Sequence, residues 1–203
     1  QLGTPISALI GWIDRINTHP EDSKSISKEM RSDMIRLEQV ADRFSQMGSH
    51  SPLEKLSLTE LVKEQAKYLK KRIPSLNNDI ELKIKIIDDV NIMGNSVLLS
   101  WVFENLIRNG IDSIKQQNGV VELSVIKDND CGFIDIKDNG LGIDKKEWKN
   151  IFKPGFTTKK RGWGLGLSLV QRIIEEIHSG SIAVKSSSAN EGTVIRIKLT
   201  RER

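Results

Sequence analysis

A change of hydrophobic period at Gly48-Ser49-His50-Ser51-Pro52 constrains this chain more than any other feature. Before it, apolar residues recur at helical spacing with almost no strand-like alternation; after it, the two periods take turns. On the first side Leu2, Ile6, Leu9, Ile10, Ile13 and Ile16 form one stripe. Beyond the breaker Thr18-His19-Pro20-Glu21-Asp22-Ser23, a second stripe runs through Ile26, Met30, Met34, Leu37, Val40, Ala41, Phe44 and Met47. The spacing predicts a helical hairpin. Two helices alone bury too little apolar surface to be stable, so the stripes are expected to meet a second copy in a four-helix bundle, which makes the protein a homodimer. The linker composition sets the domain boundary, with residues 1–50 as the hairpin and 51–203 as a second domain.

In that second domain, Leu58 to Leu69 reads as a helix capped by Ser57 or Thr59, and Ile80 to Ile86 alternates as a strand should. A long helix is expected from about Ser96 to Lys115, with strands around Val120 to Ile126 and Gly132 to Lys137. A helix from about Leu165 to His178 and a strand pair, Ser181 to Ser186 and Thr193 to Leu199, complete it. The class is α+β, an α/β sandwich with a mixed sheet and helices on one face.

Composition excludes several functions. At 203 residues and 37% hydrophobic content, the chain can bury one good core and still leave a smaller accessory element. Charged residues are 29% of the chain but the formal balance is only +4, spread without aromatic interleaving, which argues against nucleic acid as a partner. The single Cys131 excludes an internal disulfide, and no Cys/His cluster has metal-ligand spacing, so a reducing, cytoplasmic setting fits. No apolar run approaches a membrane span and the start lacks a signal-peptide pattern. This segment is expected to make no membrane contact, whereas a longer parent could be anchored in an inner membrane.

Three segments carry chemistry. Asp138 precedes Asn139-Gly140-Leu141-Gly142-Ile143 at the end of a strand-like run, where glycines let the backbone approach a ligand closely. An acceptor-only carboxylate there suits an exocyclic amine, the group that separates adenine from guanine. Taken alone, Asp-Asn-Gly is an ordinary hairpin signal. The second segment, Gly162-Trp163-Gly164-Leu165-Gly166-Leu167, leads into an apolar helix whose free amides can face a phosphate. No lysine follows its last glycine, so it is not a phosphate loop of the Gly-Lys-Ser type. Between the two lies Ile151 to Arg161, in which Phe152 and Phe156 anchor a lid whose cations, Lys159, Lys160 and Arg161 beside the hydroxyls of Thr157 and Thr158, can reach a β- or γ-phosphate. Asn105 and Asn109, four positions apart, share a helix face; alone they would read as local backbone bridges, but beside the glycine segments Asn109 offers Mg²⁺ a hard amide oxygen.

Together, Asn105/Asn109, Asp138-x-Gly140-x-Gly142, Phe152/Phe156 with Thr157-Thr158-Lys159, and Gly162-x-Gly164-Leu165-Gly166-Leu167 resemble the N, G1, F and G2 boxes of sensor histidine kinases. Their ATP-binding domain belongs to the superfamily shared with gyrase, heat-shock chaperone and mismatch-repair ATPases, and the short lid is similar to that of nitrogen-regulation-type kinases. The hairpin resembles the dimerisation and histidine-phosphotransfer domain. The resemblance implies transfer of the ATP γ-phosphoryl to a histidine and then to a response-regulator aspartate, with Mg²⁺ on Asn109. It also implies that Asn105, Asp112, Ile143, Phe156, Thr157, Thr158, Lys159, Lys160, Leu165 and Leu167 join Asp138 and the glycines around the nucleotide.

Three departures stand out. The family's phosphoaccepting histidine precedes a carboxylate and Leu-x-Thr-Pro, so it is expected just before Gln1-Leu2-Gly3-Thr4-Pro5, and this segment alone should bind ATP without phosphorylating itself. Gln1 stands where a Glu or Asp generally acts as base, while Thr4 matches the residue that orients water for regulator dephosphorylation. Asp112 stands where many members carry a phosphate-contacting lysine, a role that Lys159 is expected to take. Two alternatives remain at this level: a gyrase-like hydrolytic ATPase, against which Glu104 stands about 100° around the helix from Asn105, and a non-catalytic nucleotide-binding dimerisation module.

Overall fold

The computed structural model describes residues 3–31, 34, 52–71, 80–159 and 164–201. The chain divides into two compact units, Gln1–Ser51 and Pro52–Arg203. In the first, helix α1 (Gly3–Thr18) is followed by a short 3-10 turn (Pro20–Asp22) and helix α2 over 23–31. The break falls at the expected Thr18 to Ser23 segment: Thr18 turns its hydroxyl back onto the Asp14 carbonyl at 3.1 Å, and Pro20 begins the turn. Ile10, Ile13 and Met34, members of the two apolar stripes, are 57%, 50% and 58% exposed. The stripe from Leu37 to Met47 and the linker 48–51 lie outside the described residues.

The second unit is built on a five-stranded mixed sheet, in the order β2-β4-β5-β7-β6. Its strands are β2 (Ile80–Ile86), β4 (Gly119–Asp128), β5 (Cys131–Asp138), β6 (Ser181–Ser188) and β7 (Gly192–Thr200). Only β2 and β4 pair in parallel; the remaining pairs are antiparallel. Alternation puts Leu82, Val121, Leu123, Val125, Ile134 and Ile197 on one face, buried together with Leu98, Leu99, Val102, Phe103, Leu106 and Ile107 of helix α4 (Ser96–Ser113) and Val62 and Ala66 of helix α3 (Leu58–Lys70). Ser57 is the cap of α3, accepting from the Glu60 amide at 3.2 Å, whereas the hydroxyl of Thr59 turns to the Asp88 carbonyl.

Two features escaped the sequence pattern. Glu54–Ser57 (β1) and Asn91–Gly94 (β3) pair as a separate antiparallel ribbon, each strand too short to show a period. The expected helix from Leu165 to His178 is α5 (Gly166–Arg172) continued by one wide π turn (Ile173–Ile177). That turn ends on buried His178, whose Nδ1 lies 2.8 Å from the Ile173 carbonyl and whose Nε2 accepts from the Asn95 amide at 3.0 Å. The two partners require the hydrogen on Nδ1, and burial holds the imidazole pKa below its ordinary value. His178 thereby ties the end of α5 to the start of α4, where Asn95 caps the helix through Leu98.

Candidate functional site

The last two turns of α4 are the meeting point. Asn105 is buried, its amide nitrogen donating to the Trp101 carbonyl at 2.9 Å. Its Oδ1 lies 3.2 Å from where a Cβ on Gly166 would stand, which brings the first residue of α5 directly against α4. Asn109 follows one turn later, half-buried, and Asp112 next, exposed.

Asp138 is the last residue of β5 and is buried, 8% exposed. Its Oδ1 accepts from the Gly140 amide at 2.8 Å and lies 3.0 Å from the hydroxyl of Ser113, the residue that ends α4. Burial raises its pKa, only partly countered by hydrogen bonds from Gly140, Ser113 and the Thr193 amide, and among the described residues no lysine or arginine pairs with it. A buried carboxylate kept without a cation costs stability, and a group in such surroundings is a candidate site residue. Ser113 was not singled out from the sequence. Its signal is the polar series Asn105, Asn109, Ser113 at four-residue spacing, which falls on one face of the helix.

The loop after Asp138 is locked to the sheet. The Ile143 amide donates to Ser187 Oγ at 2.8 Å, and the Asn190 amide to the Leu141 carbonyl at 2.9 Å. Gly142, with φ +76, passes so close to the Ser188 carbonyl that no side chain fits there. Gly142 therefore holds the loop against the β6–β7 turn.

The lid opens from the short turn Asn150–Phe152, with Phe152 buried and Phe156 half-buried. The Gly155 amide donates to the Gly164 carbonyl at 3.1 Å, closing the base of the loop. Gly164 has φ +65, and a Cβ on it would stand 2.5 Å from the Gly155 carbonyl carbon, so only glycine closes this neck. Within the loop Thr157 Oγ1 accepts from the Lys159 amide at 3.1 Å and Thr158 is exposed. Lys159 Nζ donates to Asn109 Oδ1 at 3.0 Å and to Asp112 Oδ2 at 2.6 Å.

The structure thus brings together Asn105, Asn109, Asp112, Lys159 and Gly166 around the end of α4, with Asp138 and Gly140 beside Ser113 and Leu165 and Leu167 flanking Gly166. Gln1, Lys160 and Gly162 lie outside the described residues; Thr4 sits in α1 of the other unit, with its side chain outside the described part. The donor set fits a hard divalent cation: the Asn109 oxygen, the one expected to meet Mg²⁺, already faces a positive charge, the Lys159 ammonium. Glu104 bonds toward Arg108 at 3.6 Å along the helix surface, and is not the carboxylate beside Asn105 that water activation would need. Among the described residues no group of three or more His, Cys, Asp or Glu could hold a metal, and no helix is long and apolar enough to cross a membrane.

Comparison with known proteins gives a family and a fold. A family described as histidine kinase-, DNA gyrase B- and HSP90-like ATPase matches residues 94–203. Sporulation kinase C of Bacillus subtilis (strain 168) is 29% identical over 201 residues, covering 98% of this chain and 46% of that protein. The catalytic domain of histidine kinase ThkA superposes with a TM-score of 0.65 at 25% identity, over 73% of this chain and 95% of that one. ThkA in complex with the response regulator TrrA shares the fold over 99% of this chain and 59% of that one, with TM-score 0.65 and 22% identity. The chain spans less than half the length of the curated relatives it matches.

Proposed function

The chain belongs to the histidine kinase-, DNA gyrase B- and HSP90-like ATPase family, and from that premise we propose that it is the ATP-binding and phosphotransfer core of a sensor histidine kinase. The observation that carries this reading is the convergence on the end of α4 of a buried carboxylate without a cation, Asp138, and a lid lysine, Lys159, seated on Asn109. Asp138 accepts from the adenine amine, and Ser113 and Gly140 fix its orientation. Asn109 would hold Mg²⁺ through its side-chain oxygen, and the ion when bound offsets phosphate charge. Asn105, Lys159 and the backbone at Gly164 and Gly166 surround the triphosphate, with Phe156, Thr157, Thr158, Lys160 and Gly162 completing the lid. Glu104, engaged with Arg108, weighs against a hydrolytic ATPase.

In this reading residues 1–50 are the dimerisation and phosphotransfer hairpin and 51–203 the catalytic domain. Exposed Ile10, Ile13 and Met34 support a homodimer in which the hairpins cover one another. The phosphoryl acceptor is a histidine preceding Gln1; Gln1, which cannot titrate, either orients its imidazole or leaves the proton to another group, Thr4 orients water in dephosphorylation of the regulator, and a response-regulator receiver domain takes the phosphoryl group onto an aspartate. The likeness to a kinase solved with its regulator supports that partner.

The test is labelling from γ-labelled ATP of a longer protein that includes the residues before Gln1. It should acquire acid-labile, base-stable phosphate. An unlabelled protein that still binds ATP would instead be a nucleotide-binding module, and rapid multiple turnover by the 203-residue chain alone would overturn the kinase reading.

A further inference from the structure

Lys159 does more than lie near the phosphate end of the site. Its ammonium is held between two oxygens on α4, Asn109 Oδ1 at 3.0 Å and Asp112 Oδ2 at 2.6 Å, across 50 and 47 residues of sequence. The two oxygens come from residues three apart, on one helix face. We propose that Asn109 and Asp112 form a single cation seat, filled by the Lys159 ammonium in the absence of nucleotide and by the divalent ion that accompanies nucleotide when it binds. Asp112 is then a second oxygen partner for the metal, directly or through its water shell, and Lys159 is its resident placeholder. The proposal rests on the nucleotide reading of the site given above.

The physical argument is one of charge. A carboxylate beside a triphosphate repels it unless a cation stands between them, and Asp112 is placed three residues from the oxygen expected to meet the metal. The seat therefore has to hold positive charge both with and without the metal. A lysine supplies it in one state; it is a flexible point charge, strongly hydrated, and exchanges readily because its side chain is 45% and that of Asp112 42% exposed. Hard oxygens of one amide and one carboxylate suit Mg²⁺ or Mn²⁺, which keep several waters and need few protein ligands. Displacing the ammonium also frees Lys159, an exposed residue, to meet the terminal phosphate. The exchange couples metal arrival to release of the lid lysine.

The test uses the whole 203-residue chain with saturating ADP, which lacks the γ-phosphate and so mutes any direct lysine contact, and titrates Mn²⁺ by electron paramagnetic resonance. Asp112→Asn should raise the Mn²⁺ midpoint about tenfold, as loss of a charged partner at a metal site does. Lys159→Met, which keeps the apolar stem and removes the competitor, should lower it about threefold. In the double variant the lysine effect should vanish, because the carboxylate that seats it is gone. Both side chains are about half exposed, 45% and 42%, and far-ultraviolet circular dichroism with a thermal melt reports that each variant is folded. A midpoint that moves by less than about twofold in Asp112→Asn, or that rises in Lys159→Met, overturns the seat. A wild-type chain that binds no ADP at all overturns the nucleotide reading instead, so the two failures are distinct.

Discussion

Strand β5 carries two buried aspartates three residues apart, and they have opposite surroundings. An odd separation sends them to opposite faces of the sheet. Asp135, away from the helices, is gripped by the Arg196 fork at 2.6 and 2.7 Å and by Lys185 at 2.9 Å, with the guanidinium lying 4.9 Å over the Phe133 ring. Burial pushes its pKa up, but the hydrogen bonds and charges of Arg196 and Lys185 outweigh burial and hold the carboxyl below its ordinary range. Asp138, at the helix side, has hydrogen-bond donors and, among the described residues, no cation, and burial wins. The same residue type on the same strand is paired with two cations in one place and, among the described residues, with none in the other. A buried carboxylate is therefore informative only together with its partners.

The sharpest break of this comparison is a pair of isosteric substitutions. Asp138→Asn should weaken ADP and ATP binding by about tenfold to a hundredfold, the loss expected when a charged acceptor is removed from a hydrogen bond. It should leave the melting temperature nearly unchanged, since it also removes an unpaired buried charge. Asp135→Asn should do the reverse: a stability loss of about 2 kcal/mol in urea unfolding, below the full value for a buried pair because Arg196 and Lys185 are 31% and 44% exposed, with nucleotide affinity unchanged. Calorimetry and denaturation on both variants decide it. If Asp135→Asn costs affinity, or Asp138→Asn costs only stability, the two roles have been assigned to the wrong faces.

The pH dependence should differ in sign. Asp138 ionises at higher pH in the folded chain than in the unfolded one, so its contribution is full below the ordinary aspartate value of 3.8 and is lost as pH rises through its raised pKa. Asp135 is the opposite: its contribution is present above 3.8 and is lost as pH falls through its lowered pKa. The stability difference between wild type and Asp138→Asn should therefore move against the wild type as pH rises above 3.8. The difference between wild type and Asp135→Asn should move in its favour as pH rises toward 3.8, each by at most about 1.4 kcal/mol per pH unit. Urea titrations from acidic to neutral pH read both slopes, and slopes of like sign would end the contrast.

Sequence alone distinguished these sites unevenly, and the reason is the range over which each contact acts. Asn105 and Asn109 were legible because four-residue spacing on one helix face is a local signal, and Asp138 because Gly140 and Gly142 follow closely. The alternation of Ile80 to Ile86 and of the later strands marked the sheet. The short strands β1 and β3 left no period to read, and a serine at the end of α4 looks like any helix terminus until β5 is laid beside it. The grip of Arg196 on Asp135 spans 61 residues and follows from strand order, which periodicity does not encode. His178 likewise read as a mere helix end, because its partner Asn95 is 83 residues away.

The smallest expected effect tests which cation completes Asp135. Lys185 makes one contact at 2.9 Å from a side chain that is 44% exposed, whereas Arg196 addresses both oxygens and stacks on Phe133. Lys185→Ala should therefore cost only about 0.5 kcal/mol, and most of that should disappear in concentrated salt. The planar fork satisfies the carboxylate geometrically, and a flexible ammonium adds charge that water and salt can replace. Urea unfolding at low and high ionic strength reads the difference. A loss as large as that of Asp135→Asn, unchanged by salt, would mean that the lysine and not the fork holds this carboxylate. Asp135 and Asp138 would then differ by the presence of a single flexible charge.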